Sequence, residues 1–211
     1  MKKGKAIGIG IIIFVLCSGL AIFCRYLYVQ HTYFSRGGSS YVEDTSDVDV
    51  SNLEVDTIQA EFIYDTESEE EAVGITDYVF LGEVVSNDGT EYVSSQSGDK
   101  FYAIYTNYTV KVLENLKGVL EMDKAIPIKK VGGVTKDRKM VYLFDEDILP
   151  EAGKQYVFLA YAQEDGSLLI SGPNSNVLQE KKNDEVIEEY EEAVENQVDF
   201  ERERYTSEYE E

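Results

Sequence analysis

Few residues in this chain have side chains suited to covalent or metal chemistry. The only histidine is His31, and the only cysteines are Cys17 and Cys24. A nucleophile–base pair of the serine- or cysteine-hydrolase kind needs a histidine or comparable base. His31 stands beside an apolar segment and reads as structural or incidental. Metal sites of the His/Cys kind are excluded from the remainder of the chain. Carboxylates are the remaining candidates. Asp145, Glu146 and Asp147 form the best local cluster for a hard cation, but one acidic loop is weak evidence and a solvated turn accounts for them better. Asp44, Asp47 and Asp49 resemble the start of a calcium loop, but the glycine and distal glutamate are out of register. No two acids are singled out as a glycosidase pair.

Other motifs are weaker. Gly132-Gly133 is followed by strand-like residues, not by the helix that a phosphate cradle requires. Asn107-Tyr108-Thr109 is a glycosylation acceptor only on a eukaryotic secretory path. Tyr102, Tyr105, Tyr108, Tyr156 and Tyr161 lie in strand-like stretches. They suit either a stacking face or the ordinary edge of an amphipathic core. No cofactor is expected.

The chain has 211 residues, with 19 basic against 41 acidic side chains and a formal charge of −22. Nucleic acid is excluded as a partner on that balance, since phosphate contacts need Lys and Arg. Residues 1–5 are a basic head: Lys2, Lys3 and Lys5 precede an uncharged run from Ala6 to Cys24. As a helix that run is about 28 Å long, close to the hydrocarbon thickness of a bilayer. The positive-inside rule puts the N-terminus in the cytoplasm and the bulk of the chain outside. Residues 6–24 therefore read as a single-pass signal-anchor, with a signal peptide cleaved after Ala21 as the alternative. A cysteine-free domain behind such an anchor suits the cell membrane of a Gram-positive bacterium. Residues 25–52, polar and acidic, read as a disordered tether.

Residues 53–180 read as one β domain. Leu53–Tyr64 suggests an edge strand, and Thr66–Glu69 a helix start that Gly74 closes. Tyr78–Val85 is an apolar strand, followed by the turn signal Ser86-Asn87-Asp88-Gly89-Thr90. From Phe101 to Leu113 a period of two predicts a long half-buried strand. Further strands follow at Ala125–Val131, Met140–Phe144, Gln155–Ala162 and Ser167–Ser171, with a hairpin turn at Asp165-Gly166. Closely spaced strands of this kind predict a small barrel.

Three blocks carry a family resemblance: Asp77-Tyr78-Val79-Phe80-Leu81-Gly82-Glu83-Val84, Tyr108 through Gly118, and Gly153 through Ala160. Together they resemble bacterial surface proteins with a TIMP-like, or netrin-like, OB-fold domain. The resemblance implies a mainly β, OB-like barrel between the transmembrane helix and a C-terminal helix. In the animal inhibitors of that fold an N-terminal cysteine chelates a protease's zinc. This chain has no cysteine after Cys24, so that mechanism does not carry over, and fold likeness alone supplies no activity.

Residues 181–211 read as an acidic amphipathic helix and tail. Asn183-Asp184-Glu185 fits a cap, and Ile187, Tyr190, Val194 and Val198 follow on one stripe. That stripe fits packing on the barrel or recognition by a partner's groove. The functional expectation is a membrane-anchored extracytoplasmic binding protein, not an enzyme, with an envelope protein as partner. The alternative is a carboxylate-dependent cell-envelope enzyme or enzyme regulator.

Overall fold

Tyr78, Val79, Phe80 and Leu81 are consecutive and all buried, so the strand that carries them must be covered on both faces. The computed structural model, which describes residues 40–94, 101–180 and 185–211, shows what covers it. The elements in chain order are β1 (Ser40–Glu43), a 3-10 turn (Val50–Asn52), β2 (Glu54–Ile58), α1 (Glu69–Ile75), β3 (Tyr78–Ser94) and β4 (Phe101–Lys117). There follow β5 (Ala125–Val131), β6 (Gly133–Val134), β7 (Met140–Phe144), β8 (Gln155–Ala162), β9 (Leu168–Ile170), β10 (Asn176–Gln179) and α2 (Glu185–Glu195).

The protein is mainly β. Strand β3 pairs with β4, β4 with β5, β5 with β9, β9 with β8, and β8 returns to β3. This ring nearly closes; its shortest joint is the parallel β5–β9 contact, only Lys129↔Leu169 and Lys130↔Ile170. Strands β9 and β10 lie in succession along one side of β8, opposite Ala160–Ala162 and Gln155–Phe158 respectively, while β3 takes the other side. Even-numbered residues of β3 and β8 enter the ring: Tyr78, Phe80, Val84, Tyr156, Phe158 and Ala160 share one core with Tyr108, Val110, Ile126 and Ile128. The odd-numbered Val79, Leu81, Val157 and Leu159 face outward and are covered by Ala72 and Val73 of α1 and Tyr190 and Ala193 of α2.

Several expectations are corrected. The tether does not extend to residue 52. Ser40–Glu43 pairs antiparallel with Thr90–Val93, and the buried Thr45 shares a hydrogen bond with Thr90 (2.8 Å). Arg138 adds bonds to the Glu43 carboxylate and the Asp44 carbonyl. Backbone pairing and one guanidinium thus order a stretch with too few apolar residues to order itself. The signal at 86–90 is not a chain reversal but irregular register within one long strand, since β3 continues to Ser94. Gly89, at φ +98°, lies against the Glu43 carbonyl where β1 joins. Strand β2 is shorter than Leu53–Tyr64 and pairs in parallel with β7. Strand β4 runs on to Lys117, through the stretch where its pattern fades. Gly74 does not close α1; it sits inside the helix where a Cβ would meet the Val198 carbonyl.

Helix α1 begins where the sequence predicts, with Ser68 Oγ accepting from Glu71 N (3.2 Å). Its C-terminal end is less usual. Lys117 Nζ donates to the carbonyls of Val73 (2.7 Å) and Thr76 (2.8 Å). Arg204 donates to those of Gly74 (2.7 Å) and Thr76 (2.8 Å), and Arg202 Nε to that of Ile75 (2.7 Å). Three cations thus satisfy the carbonyls that a helix leaves open, at the end where its dipole favours positive charge. Burial and the neighbouring Arg204 hold the Lys117 ammonium down at about 8. Asp77 gathers both arginines: its Oδ1 accepts from Arg202 (2.6 Å) and Arg204 (3.0 Å), and its Oδ2 from Ala162 N (3.0 Å).

The chain beyond Arg204 closes one end of the barrel as an extended strap. Tyr78 OH accepts from Ser207 N (2.9 Å) and donates to Glu210 (2.7 Å), and Tyr209 packs on the barrel core. Residues 1–39, with Cys17, Cys24, His31 and the apolar segment 6–24, lie outside the described residues, as do residues 95–100 and 181–184, the latter with the expected Asn183-Asp184 cap. Among the described residues no helix is long and apolar enough to cross a membrane.

Replacing Asp77 by Ala leaves two guanidinium groups without their shared carboxylate, one only 20% exposed. The expected loss is about 3 kcal/mol in urea unfolding; a change below about 0.5 kcal/mol would deny Asp77 this role. Burial also pushes the hydroxyls of Tyr78 and Tyr92 up to about 12. Their folded values lie above the unfolded value of about 10, so the stability they hold is present below pH 10 and lost as pH rises toward 12. Tyrosine absorbance followed on alkaline titration should show these two ionising together with unfolding, rather than at the ordinary tyrosine range.

Candidate functional site

Alternation on β5 places Ile126, Ile128 and Lys130 on the same, inward face. A lysine at that position enters an apolar barrel. Its ammonium meets Asp147, with Nζ to Oδ1 at 2.9 Å and the two side chains 0% and 1% exposed. Ser175 Oγ accepts a second bond from Lys130 (3.2 Å) and donates to the Gly172 carbonyl (2.5 Å). Asp147 Oδ1 also accepts from Ile148 N (2.9 Å). Burial pushes the lysine's affinity for its proton down and the aspartate's up; each partner's charge opposes that drift. Burial also raises the Tyr108 hydroxyl, which feels the charge of Asp147.

This pair sets two loops. The Asp145–Asp147 turn sends Asp147 inward and leaves Asp145 and Glu146 exposed. The Gly172–Ser175 excursion, between β9 and β10, buries Ser175 and turns Pro173 and Asn174 outward. The outward residues of both loops line a groove of about 310 Å³ at the C-terminal ends of the parallel pair β2 and β7. Thr57, Ile58, Gln59 and Phe62 supply the opposite wall, and Phe144 and Glu67 complete it. Phe62 and Phe144 stack edge to face with centroids 5.4 Å apart. Glu146 and Asn174 both hold positive φ, +58° and +55°, a backbone state uncommon for Glu and readily adopted by Asn.

The predicted site residues are therefore separated. Asp145, Glu146 and Asp147 do not converge, because Asp147 is committed to Lys130. No group of three potential ligands is positioned for a metal among the described residues. Asp44 and Asp49 instead accept bonds from Ser46 and Ser51 in local turns. The stripe on α2 is not offered to a partner. Tyr190 is core, Ile187 and Val194 pack on that core, and Val198 lies beyond the helix end at Glu195. The helix ends at Glu195, and Val198 N instead donates to the Glu70 carbonyl (3.1 Å).

The sequence reading missed Lys130 and the groove. A charged residue at an inward position of an alternating strand was the available signal for Lys130. The groove joins segments far apart in the chain and had none. In comparison with known proteins, no protein-family model and no curated protein matches the chain.

Removing one member of the buried pair, by Lys130→Met or Asp147→Asn, should cost about 3–5 kcal/mol in denaturant unfolding. The double variant Lys130→Met/Asp147→Leu should recover most of that loss, because it leaves no uncompensated buried charge. A double variant as unstable as the sum of the singles would show that the two side chains are not coupled, and would deny the pair this role.

Proposed function

We propose that this chain is a single-pass membrane protein whose barrel lies outside the cytoplasm and binds an envelope protein without catalysis. The barrel reads as an OB-like, TIMP-like domain. Its ring runs first-second-third-fifth-fourth-first in strand order, with the third and fifth strands parallel, and this connectivity supports that reading. Residues 6–24 supply the anchor, and the strand pairing of Ser40–Glu43 would hold the domain close to it.

One observation carries the binding reading. The strongly perturbed ionisable pair Lys130–Asp147 is turned inward and compensated, whereas the same two loops present an open groove on their outer side. An internally neutralised pair is poorly placed to transfer protons to a substrate. A groove of this size on a rigid barrel mouth is a usual place for recognition.

Two measurements test the proposal. External protease on intact cells should remove the domain beyond about residue 40, and full protection would reverse the orientation. A photo-crosslinking residue at the exposed Gln59, in the groove, should capture an envelope protein in living cells; the same probe at Glu192, on the outer face of α2, should not. Equal capture from both positions, or from neither, would remove the groove from the proposal.

A further inference from the structure

Strand β2 is the edge of its sheet: among the described residues it pairs only with β7. Its outer side therefore presents backbone donors and acceptors in a row, the template to which an added strand binds. Val55 is 59% exposed on this strand, and Ile63 just beyond it is 80% exposed. The groove opens where β2 ends, so a strand laid along β2 would run directly into it.

The charge around this path has one sign. Glu54 and Asp56 are exposed on β2, Glu61 follows, and Glu67, Asp145 and Glu146 line the groove. Among the described residues no lysine or arginine lines it. Phe62 and Phe144 bring two aromatic rings among these carboxylates, which suits the stem and head of a long cationic side chain. An acidic, aromatic groove continuous with an open strand edge matches one occupant: an extended peptide bearing Lys or Arg.

We infer that the free edge of β2 and the adjoining groove take up an extended basic segment of a partner protein by strand addition, with a Lys or Arg side chain seated among Glu67, Glu146 and the two phenylalanines. The inference rests on the binding reading above and names its ligand chemistry. Strand addition supplies affinity through the main chain, and the groove selects for positive charge.

The test uses the full chain in detergent or a bilayer disc and a fluorescent peptide alternating Lys or Arg with Val. The peptide should bind, and its glutamate-for-lysine counterpart should not. N-methylation at alternate amides should abolish binding. Glu67→Gln/Glu146→Gln should weaken it about tenfold, the size of two partly exposed charge contacts. Glu188→Gln/Glu192→Gln on α2 removes the same charge elsewhere and should leave affinity unchanged. Equal weakening by both double variants would reduce the effect to overall acidity and overturn the inference, as would indifference to N-methylation. A calcium-dependent rise in melting temperature that Glu146→Gln removes, without peptide binding, would overturn it in favour of a cation. Crosslinking from Gln59 in cells together with no basic-peptide binding would defeat this inference while leaving the broader binding proposal standing.

Discussion

The mouth of this barrel is organised by one ion pair withdrawn from water. Lys130 and Asp147 are both nearly inaccessible, and each would be costly alone. Because neither can leave without stranding the other, the turn that carries Asp147 and the excursion that carries Ser175 are held in one arrangement. Their outward residues inherit that arrangement. The left-handed backbone of Glu146, which an ordinary side chain disfavours, fits that fixed arrangement, and Asn174 takes the same conformation at the lower cost usual for Asn. A pair of this kind is weak evidence for stability but good reason for a single geometry.

A second constraint operates on the outer face of the barrel. Strands β3 and β8 are buried on both faces, so they read as continuous apolar runs, and they need helices as well as barrel strands to cover them. Helix α1 is only seven residues long and could not persist by propensity. It is kept by the apolar cover it gives Val79 and Leu81 and by Lys117, Arg202 and Arg204 at its carbonyl end. The acidic balance of the chain makes these cations notable. They are assigned to a helix end and to Asp77, as Lys130 is assigned to Asp147, rather than to the surface.

Much of the β framework was legible in the sequence. Ala125–Val131, Met140–Phe144 and Gln155–Ala162 are found with the predicted limits, because each is bounded by turn residues and each alternates or is uniformly apolar. What failed was decided by distant partners. Ser40–Glu43 has only Tyr41 and Val42 as an apolar signal and becomes a strand because β3 offers an edge. Ser86–Thr90 carries turn chemistry, yet β4 pairs across it and keeps the strand running, and β1 joins at Thr90. The α2 stripe was legible as a stripe, but spacing alone does not say whether its cover is the same chain or another. The groove was invisible for a related reason: Ile58, Phe62, Phe144 and Asn174 meet only through the crossing of β2, β7 and the β9–β10 excursion.

The C-terminal strap bears on how the protein is made. Arg202 meets Asp77 across 125 positions, and Glu210 meets Tyr78 across 132. Synthesis runs from the N-terminus, so Lys117 alone serves the carbonyl end of α1, and one end of the barrel stays open, until residues 202–210 have been made. A polypeptide released early would lack both closures at once, exposing helix carbonyls and the core beside Tyr78. Residues 202–210 thus act as a certificate: a chain that includes them can seal itself, and one released before them carries a visible defect for surveillance proteases to find.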